Sequence, residues 1–344
     1  MKNVLLLGSM KDKQTGWYVA YSFKELGYRI DAVDVREILF REGGTLAQKR
    51  ILAEIDKFEQ EFDIVLIFKG LELHPKTVKT IKEKFPKAKL VNWFFDKYLA
   101  DKPIWEQQFF HESLKLYDYF FCSLKGVADK LKEIGFDNAR YLDEGCYPPW
   151  NGEVHINNFQ KKKYGADISF MGSLGFLAQH LNRVEILYSI AEEGYDLKVW
   201  GNIACDWKLI PPLLKTMHTE KNAVNDTHSM VVQSSLINLG IDADPSIELG
   251  HSARLYRVLC AGGLYLTTYC KGMEKMFKIN ERDKPITGKE ELVVYYDMKD
   301  LPKILDFLLA KPKIRDEIRL RGQKSVLKNH TFTLRVKNML EVIK

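Results

Sequence analysis

The residues best suited to chemistry in this sequence are two arginines, Arg254 and Arg257, in the segment 252–263. Ser252 is a suitable N-cap for a helix over 252–261, whose apolar residues share one face and leave the two arginines together near the helix start. Backbone N–H groups at a helix start favour an anion, and guanidinium groups bind phosphate oxygens through paired donors. The pattern therefore predicts a site for a nucleotide diphosphate. The alternative is that both arginines lie on a solvated helix face.

Small or flat residues follow three apolar runs that are typical of strands, and they are candidates for contact with the same ligand. Glycine lets a ligand approach backbone N–H groups at the carboxyl edge of a sheet, and tryptophan can stack on a base. Arg183 follows one of these turns and is placed to face a phosphate. Each position also has an ordinary interpretation as a strand-ending turn. The candidates after the strands are Gly8, Ser9, Gly172, Ser173, Trp200, Gly201 and Asn202.

Asp96 closes the apolar run 89–95 and is the candidate catalytic carboxylate beside Arg254. A carboxylate at the carboxyl edge of a sheet can orient or deprotonate an acceptor hydroxyl, or it can simply cap the following loop. The sequence contains no G-x-G-x-x-G, no G-x-x-x-x-G-K-[ST], no G-x-S-x-G and no H-E-x-x-H. These absences argue against a dinucleotide fingerprint, a P-loop ATPase, an α/β-hydrolase and a zinc protease.

The elements that must position these residues form two series of alternating strands and helices. Short apolar runs separated by helical periods are typical of parallel β/α units that are buried on both faces. The first series ends at the turn-rich segment 143–152, and the second begins near residue 167. The pattern predicts an α/β protein with two Rossmann-like, doubly wound parallel-sheet domains, one over 1–150 and the other over 165–328, followed by a helix in 329–344.

Composition is compatible with this reading. The 344 residues are 46% hydrophobic and 28% charged, which is typical of globular domains. The net charge of +6 suits anionic ligands, a membrane surface or nucleic acid equally well. Five scattered cysteines without a C-x-x-C pair predict no metal site and a reduced, cytoplasmic setting. No apolar stretch reaches the length of an integral membrane segment.

Several segments resemble the CgeB-type (spore-maturation) branch of the group 1 glycosyltransferases. The resemblance covers most of 165–340, and in the first half only Asp96 and the segment 141–146 (YLDEGC) add to it. The matching segments, in family order, are 167–173 (DISFMGS), 252–256 (SARLY) with Gly262 and Gly263, Thr268 and Tyr269, 272–274 (GME) with Phe277, 291–295 (ELVVY), and 330–332 (HTF) with Arg335.

This resemblance implies a GT-B fold, with two domains facing a central cleft and a metal-independent hexosyltransferase-type activity. The donor, a nucleotide sugar that we expect to be UDP-linked, would lie on the C-terminal domain. The acceptor would lie on the N-terminal domain, and the last helix would cross back to it. Arg254 is the residue that corresponds most directly to the family motif. Retention or inversion stays open, because only inversion needs a base such as Asp96.

One residue departs from the family pattern. The family has glutamate after the aromatic residue of R-x-F-E, where it accepts hydrogen bonds from the ribose hydroxyls, whereas this chain has Arg257, which cannot accept them. Either another residue such as Glu248 holds the ribose, or the nucleotide differs, or activity is lost. The function alternatives are therefore a nucleotide-sugar epimerase of the same fold and a non-catalytic nucleotide-sugar-binding protein. The acceptor of a transferase is unidentified and could include a modified DNA base.

Overall fold

The computed structural model describes residues 2–96, 108–175, 181–219, 221–242, 244 and 246–343. The chain divides into two compact units: unit 1 is Met1–Glu144 with Phe332–Lys344, and unit 2 is Gly145–Thr331. Residues 145–150, assigned to the first domain from sequence, belong to unit 2. A backbone hydrogen bond joins this segment to unit 2: the Cys146 N–H donates to the carbonyl of His330 at 3.0 Å.

Unit 1 is a six-stranded, all-parallel sheet with the strand order β2-β1-β3-β4-β5-β6. The strands are β1 (Asn3–Gly8), β2 (Arg29–Asp34), β3 (Ile64–Phe68), β4 (Lys89–Phe94), β5 (Tyr119–Cys122) and β6 (Ala139–Tyr141). The helices are α1 (Thr15–Glu25), α2 (Val35–Glu42), α3 (Gly44–Asp56), α4 (Pro75–Lys84), α5 (Gln108–Ser113), α6 (Lys125–Glu133) and, from the end of the chain, α15 (Phe332–Val342), with a 3₁₀ turn at Leu114–Leu116.

The sheet of unit 1 forms because its central strands are continuous apolar runs. All five residues of β3 are buried, as expected for a strand covered by helices on both faces. Helix α15 packs against α1: the ring centres of Tyr18 and Phe332 are 5.7 Å apart, and the Thr333 hydroxyl donates to Glu25 Oε2 at 2.7 Å. These contacts make α15 part of unit 1 although it follows unit 2 in the chain.

Unit 2 is a five-stranded, all-parallel sheet with the order β11-β10-β9-β7-β8. The strands are β7 (Ile168–Met171), β8 (Leu197–Trp200), β9 (Ile237–Gly240), β10 (Tyr265–Thr268) and β11 (Val293–Tyr295). The helices are α7 (Pro148–Asn151), α8 (Asn158–Tyr164), α9 (Leu181–Glu192), α10 (Pro212–Met217), α11 (Asp226–Ser234), α12 (Arg254–Cys260), α13 (Leu301–Ala310) and α14 (Pro312–Asn329), with 3₁₀ turns at Trp207–Leu209, Met273–Lys275 and Met298–Asp300.

The strand order of unit 2 fixes where a ligand can enter. Strands β7 and β9 are neighbours, and the connection that leaves β7 runs to β8 on one side, whereas the connection that leaves β9 runs to β10 on the other. In an open parallel sheet this divergence opens a crevice at the carboxyl ends of the strands, which is the usual ligand position. Phe170, in β7, is fully buried directly beneath this edge. Among the described helices, none is long and apolar enough to cross a bilayer.

Candidate functional site

Helix α12 brings Arg254 to the carboxyl end of β7, but it begins later than predicted. The helix covers Arg254–Cys260, its N-cap is Ala253, and Ser252 lies one residue before the cap. The Ser252 N–H is bonded instead to Asp242 Oδ1 at 3.0 Å, which holds this residue outside the helix. The Ser252 hydroxyl still accepts the Arg254 N–H at 3.3 Å. With only seven helical residues, the charge of this site comes from its side chains.

Two contacts hold the Arg254 side chain in place. Its Nε donates to the carbonyl of Met171 at 2.6 Å, and its Cζ lies 4.9 Å from the centre of the Phe170 ring, within range of a cation–π contact. Its Nη1 is buried and has no hydrogen-bond partner among the described residues. A buried donor without an acceptor costs free energy, and an anionic ligand at Nη1 would remove that cost.

Two glycines allow close packing around this guanidinium, one beside it and one against the first glycine. A Cβ at position 172 would lie 2.6 Å from Arg254 Nη2, so a larger residue there would displace the guanidinium. Gly201 has φ +140°, and a Cβ there would lie 2.2 Å from the Gly172 carbonyl oxygen. The Gly172 N–H also donates to the Trp200 carbonyl at 2.8 Å. The two strand-ending turns are therefore packed backbone to backbone at the predicted position.

A cavity of about 260 Å³ opens beside these turns, wholly within unit 2. It brings together eight of the eleven predicted donor-binding residues, which come from three separate segments of the chain. None of the described residues that line it is acidic. The lining residues that were predicted are Gly172, Ser173, Trp200, Gly201, Asn202, Ser252, Arg254 and Arg257, and those that were not are Met171, Asn222, Ala223, Val224, His228 and Ala253.

Trp200 contributes less to this cavity than a stacking residue would. Its side chain is only 4% exposed, and its ring centre lies 5.9 Å from that of Tyr164. Most of the indole therefore packs in the core of unit 2. Base stacking on Trp200 stays a prediction, and a base would have to contact the small part of the indole that is still exposed.

Arg183 lies behind the cavity and does not line it. Its Nη1 donates to the Ser173 carbonyl at 3.0 Å and its Nε to the Ile241 carbonyl at 3.4 Å, so it ties the turn after β7 to the turn after β9. Burial, with a smaller contribution from the Arg254 charge, lowers the pKa of Arg183 to about 10. Arg183 is still a cation at neutral pH and strengthens the positive potential of the site.

The remaining predicted residues, Gly8, Ser9 and Asp96 in unit 1 and Glu248 in unit 2, do not line the cavity. A Cβ at Gly8 would lie 2.8 Å from Phe68 Cβ, so packing within the sheet explains this glycine. Ser9 follows it, and neither residue lines the cavity of unit 2. The Asp96 carboxylate forms an ion pair with Lys69 Nζ at 2.6 Å and is about half exposed. Glu248, the alternative ribose ligand, pairs with Lys275 at 2.7 Å and does not line the cavity either.

Sequence reasoning missed two titratable groups near Arg254. Burial raises the pKa of the Asp242 carboxyl, which follows β9, although Arg254 and His251 oppose this effect. His228 lines the cavity from the first turn of α11; burial and then the charges of Arg257 and Arg254 lower its pKa to about 3. No sequence motif marks either group, because only the fold brings them to the arginines. The described residues contain no cluster of three or more metal-ligating side chains.

A comparison with family models supports the resemblance seen in the sequence. Residues 183–341 match the family model described as glycosyl transferase-like. This segment holds most of the cavity, including both arginines of α12. The match supports the broader group 1 glycosyltransferase family, and the CgeB-type branch stays a prediction. The sequence has no match among curated proteins.

Solved structures show the same architecture at low sequence identity. The N-terminal domain of Candida albicans trehalose-6-phosphate phosphatase aligns with a TM-score of 0.68 and 9% identity, over 100% of this chain and 97% of that chain. The catalytic domain of Arabidopsis thaliana starch synthase IV, bound to ADP and acarbose, aligns at 0.61 and 9%, over 98% and 99%. A putative UDP-N-acetylglucosamine 2-epimerase from Listeria monocytogenes aligns at 0.55 and 12%, over 100% and 96%. The two parallel sheets with flanking helices are those of the GT-B fold, as predicted.

Proposed function

We propose that this chain is a glycosyltransferase that binds the diphosphate of a nucleotide sugar in the cavity of unit 2. The observation that carries the proposal is the position of Arg254, which lines a cavity without an acidic lining residue and whose buried Nη1 has no hydrogen-bond partner among the described residues. A doubly negative diphosphate matches a cationic cavity of this kind. The glycosyl transferase-like match over the same segment supports the transfer reaction.

In this reaction the bond between the sugar C1 and the distal phosphate oxygen breaks, and negative charge accumulates on the departing diphosphate. Arg254 and Arg257 would stabilise that charge with donors that are already oriented before the reaction. Arg183, held behind the cavity, would add to the potential without touching the ligand. Because the guanidinium groups supply this stabilisation, we propose that the reaction needs no divalent metal.

The acceptor would bind to unit 1. In an inverting reaction, Asp96 would take the proton of the acceptor hydroxyl, and the ion pair with Lys69 would orient its carboxylate. A retaining reaction would not use Asp96 in this way. The stereochemistry of the product therefore decides whether Asp96 belongs to the catalytic residues.

The test of the site is a thermal-shift measurement with nucleotides, since a ligand of the native state raises the melting temperature. We would begin with UDP and ADP, because the Arabidopsis structure contains ADP and the Listeria protein is named for a UDP-sugar. Arg254→Ala should lose the shift caused by the diphosphate. The matched control is Arg321→Ala: Arg321 is also in unit 2 and also donates from Nε to a carbonyl, that of Gly288 at 3.1 Å. An unchanged shift in Arg254→Ala would remove this residue from the site.

A nucleotide-sugar epimerase is the second candidate, favoured by the likeness to the Listeria protein. The two activities differ in what they need. An epimerase converts a UDP-sugar without an acceptor, whereas a transferase releases UDP only when the sugar moves to an acceptor or to water. A protein that binds the donor and does neither would be a non-catalytic binding protein. Chromatography of the UDP-sugar after incubation distinguishes the three.

A further inference from the structure

His228 occupies an unusual position in the cavity. It lies in the first turn of α11, where its N–H donates to the carbonyl of Asn225 at 2.9 Å. Asn225 has φ +53°, a left-handed conformation that turns the chain sharply before the helix. This turn places the side chain of His228 in the same cavity as Arg254 and Arg257.

The surroundings of His228 oppose a positive charge on its ring. Its pKa is about 3 because the ring is desolvated and the two guanidinium groups of α12 repel a proton. The other elements that pack on α11 add little: α7 and β7 contain no charged residue, and the lysines of α8 are exposed to solvent. The charged residues of these elements are Asp226 on α11, Arg254 and Arg257 on α12, and Lys161, Lys162 and Lys163 on α8.

A bound diphosphate would reverse this situation. Its negative charges would offset the guanidinium charges that act on the imidazole, and a phosphate oxygen would offer an acceptor for an imidazolium N–H. The repulsion by Arg257 and Arg254 would then be replaced by attraction to the ligand. An imidazole that is neutral in the unliganded protein would therefore become a proton acceptor when the anion enters.

We propose that His228 takes up a proton when a diphosphate binds beside Arg254 and Arg257, so that the cavity lining gains a third cation only in the complex. The inference rests on the proposed function, because the ligand is the diphosphate of that donor. His228 would then be a specificity residue that favours the more negative ligand. A ligand without phosphate should not cause protonation, because it leaves the repulsion between the arginines and the ring unchanged.

The sign of the pH dependence follows from this exchange. The pKa of His228 is higher in the complex than in the unliganded protein, so binding gains affinity as the pH falls through the pKa of the complex and is unaffected above it. The terminal phosphate of UDP also takes up a proton at about pH 6, and this loss of negative charge weakens binding on the acid side. His228→Gln keeps a polar side chain of similar length that does not titrate, and it therefore isolates the contribution of the histidine.

The experiment is calorimetric titration of the full-length protein with UDP at several pH values, in buffers of different ionisation enthalpy. We expect the wild type to take up more protons than His228→Gln, with a difference that approaches about one proton per UDP, and its relative affinity to rise by up to about tenfold per pH unit on the acid side. His155→Gln, which changes an exposed histidine of unit 2, should behave as the wild type. Uridine should cause no proton uptake.

Two results would overturn the inference in distinguishable ways. If UDP binds to the wild type and to His228→Gln with the same proton uptake, His228 does not titrate with the ligand, and the proposed function is untouched. If neither UDP nor ADP binds to the wild type, the proposed function falls and this inference falls with it. The first result requires a folded His228→Gln protein, verified by its melting temperature, whereas the second is obtained with the wild type alone.

Discussion

The close fit between Gly172 and Arg254 leads to a prediction that separates binding from folding. Gly172 has an ordinary backbone conformation, so alanine is allowed there, but its Cβ would lie 2.6 Å from Arg254 Nη2 and 3.0 Å from Phe170 Cζ. Ordinary contacts begin near 3.4 Å, so the guanidinium must move by about 0.8 Å, the difference between 3.4 and 2.6 Å. Arg254 is the end of a flexible chain, and we expect it to move before the buried ring does.

The magnitude follows from the bonds that this movement disturbs. The Nε bond to the Met171 carbonyl, 2.6 Å long, and the position of Nη1 would both change. A hydrogen bond to a charged group contributes about 1.5–3 kcal/mol, which corresponds to an increase in Kd of about 10- to 150-fold if one bond to the ligand is lost. The accompanying crowding should lower the free energy of unfolding by about 1–3 kcal/mol.

The assay is calorimetric titration with UDP, together with urea unfolding, for Gly172→Ala, Arg254→Gln and the double variant. If alanine acts by displacing the guanidinium, Gly172→Ala should weaken binding strongly in the wild-type background and hardly at all in the Arg254→Gln background. An equal loss of affinity in both backgrounds would refute the reasoning, because the glycine would then act on the ligand independently of Arg254.

Two further variants test the packing and the chemistry separately. Gly201→Ala should lower the free energy of unfolding, measured in urea, by more than about 2 kcal/mol, because it combines a φ of +140° with a Cβ 2.2 Å from the Gly172 carbonyl oxygen. The control Gly194→Ala, with φ +81° and open space around the Cβ, should lower it by only about 1 kcal/mol. Similar losses in the two variants would contradict the clash at position 201. Asp96→Asn should change the free energy of unfolding by less than about 1 kcal/mol, because the ion pair of Asp96 with Lys69 is partly exposed. The same variant should slow an inverting transfer by about 10²- to 10⁴-fold. Unchanged transfer kinetics would exclude Asp96 as the base.

The strands of both sheets could be predicted because parallel strands buried on both faces are continuous apolar runs. Strand β3 coincides with the apolar run 64–68, and helices α4 and α13 each have a proline in their first turn, which is a common helix start. Strand β6 was missed because it has only three residues and includes a charged one, Arg140. Residues 203–233 show no clear pattern in the sequence, and they contain the short helix α10 and most of helix α11, which carries His228.

The residues that line the cavity show which parts of such a cavity can be predicted from sequence. Gly172, Gly201 and Arg254 were found because each follows a recognisable strand or starts a helix, and the fold brings such positions to one sheet edge. His228, Asn222 and the buried Asp242 were missed because their environment depends on neighbours far away in the chain. Side-chain packing also determines the exposure of Asn222 and the ion pair of Glu248 with Lys275. The spacing of residues in the sequence does not predict such packing.

Helix α15 has a consequence for the order of events during synthesis. Unit 1 is discontinuous, and its last helix is translated only after all of unit 2 has been translated. Unit 2 is continuous, so it has every residue it needs before unit 1 can bury Phe332, which is fully enclosed in the finished protein. Domains of nascent chains usually fold from the N-terminus onward. Here we expect unit 2 to complete its folding first, because the sheet of unit 1 stays incompletely covered until helix α15 has been synthesised.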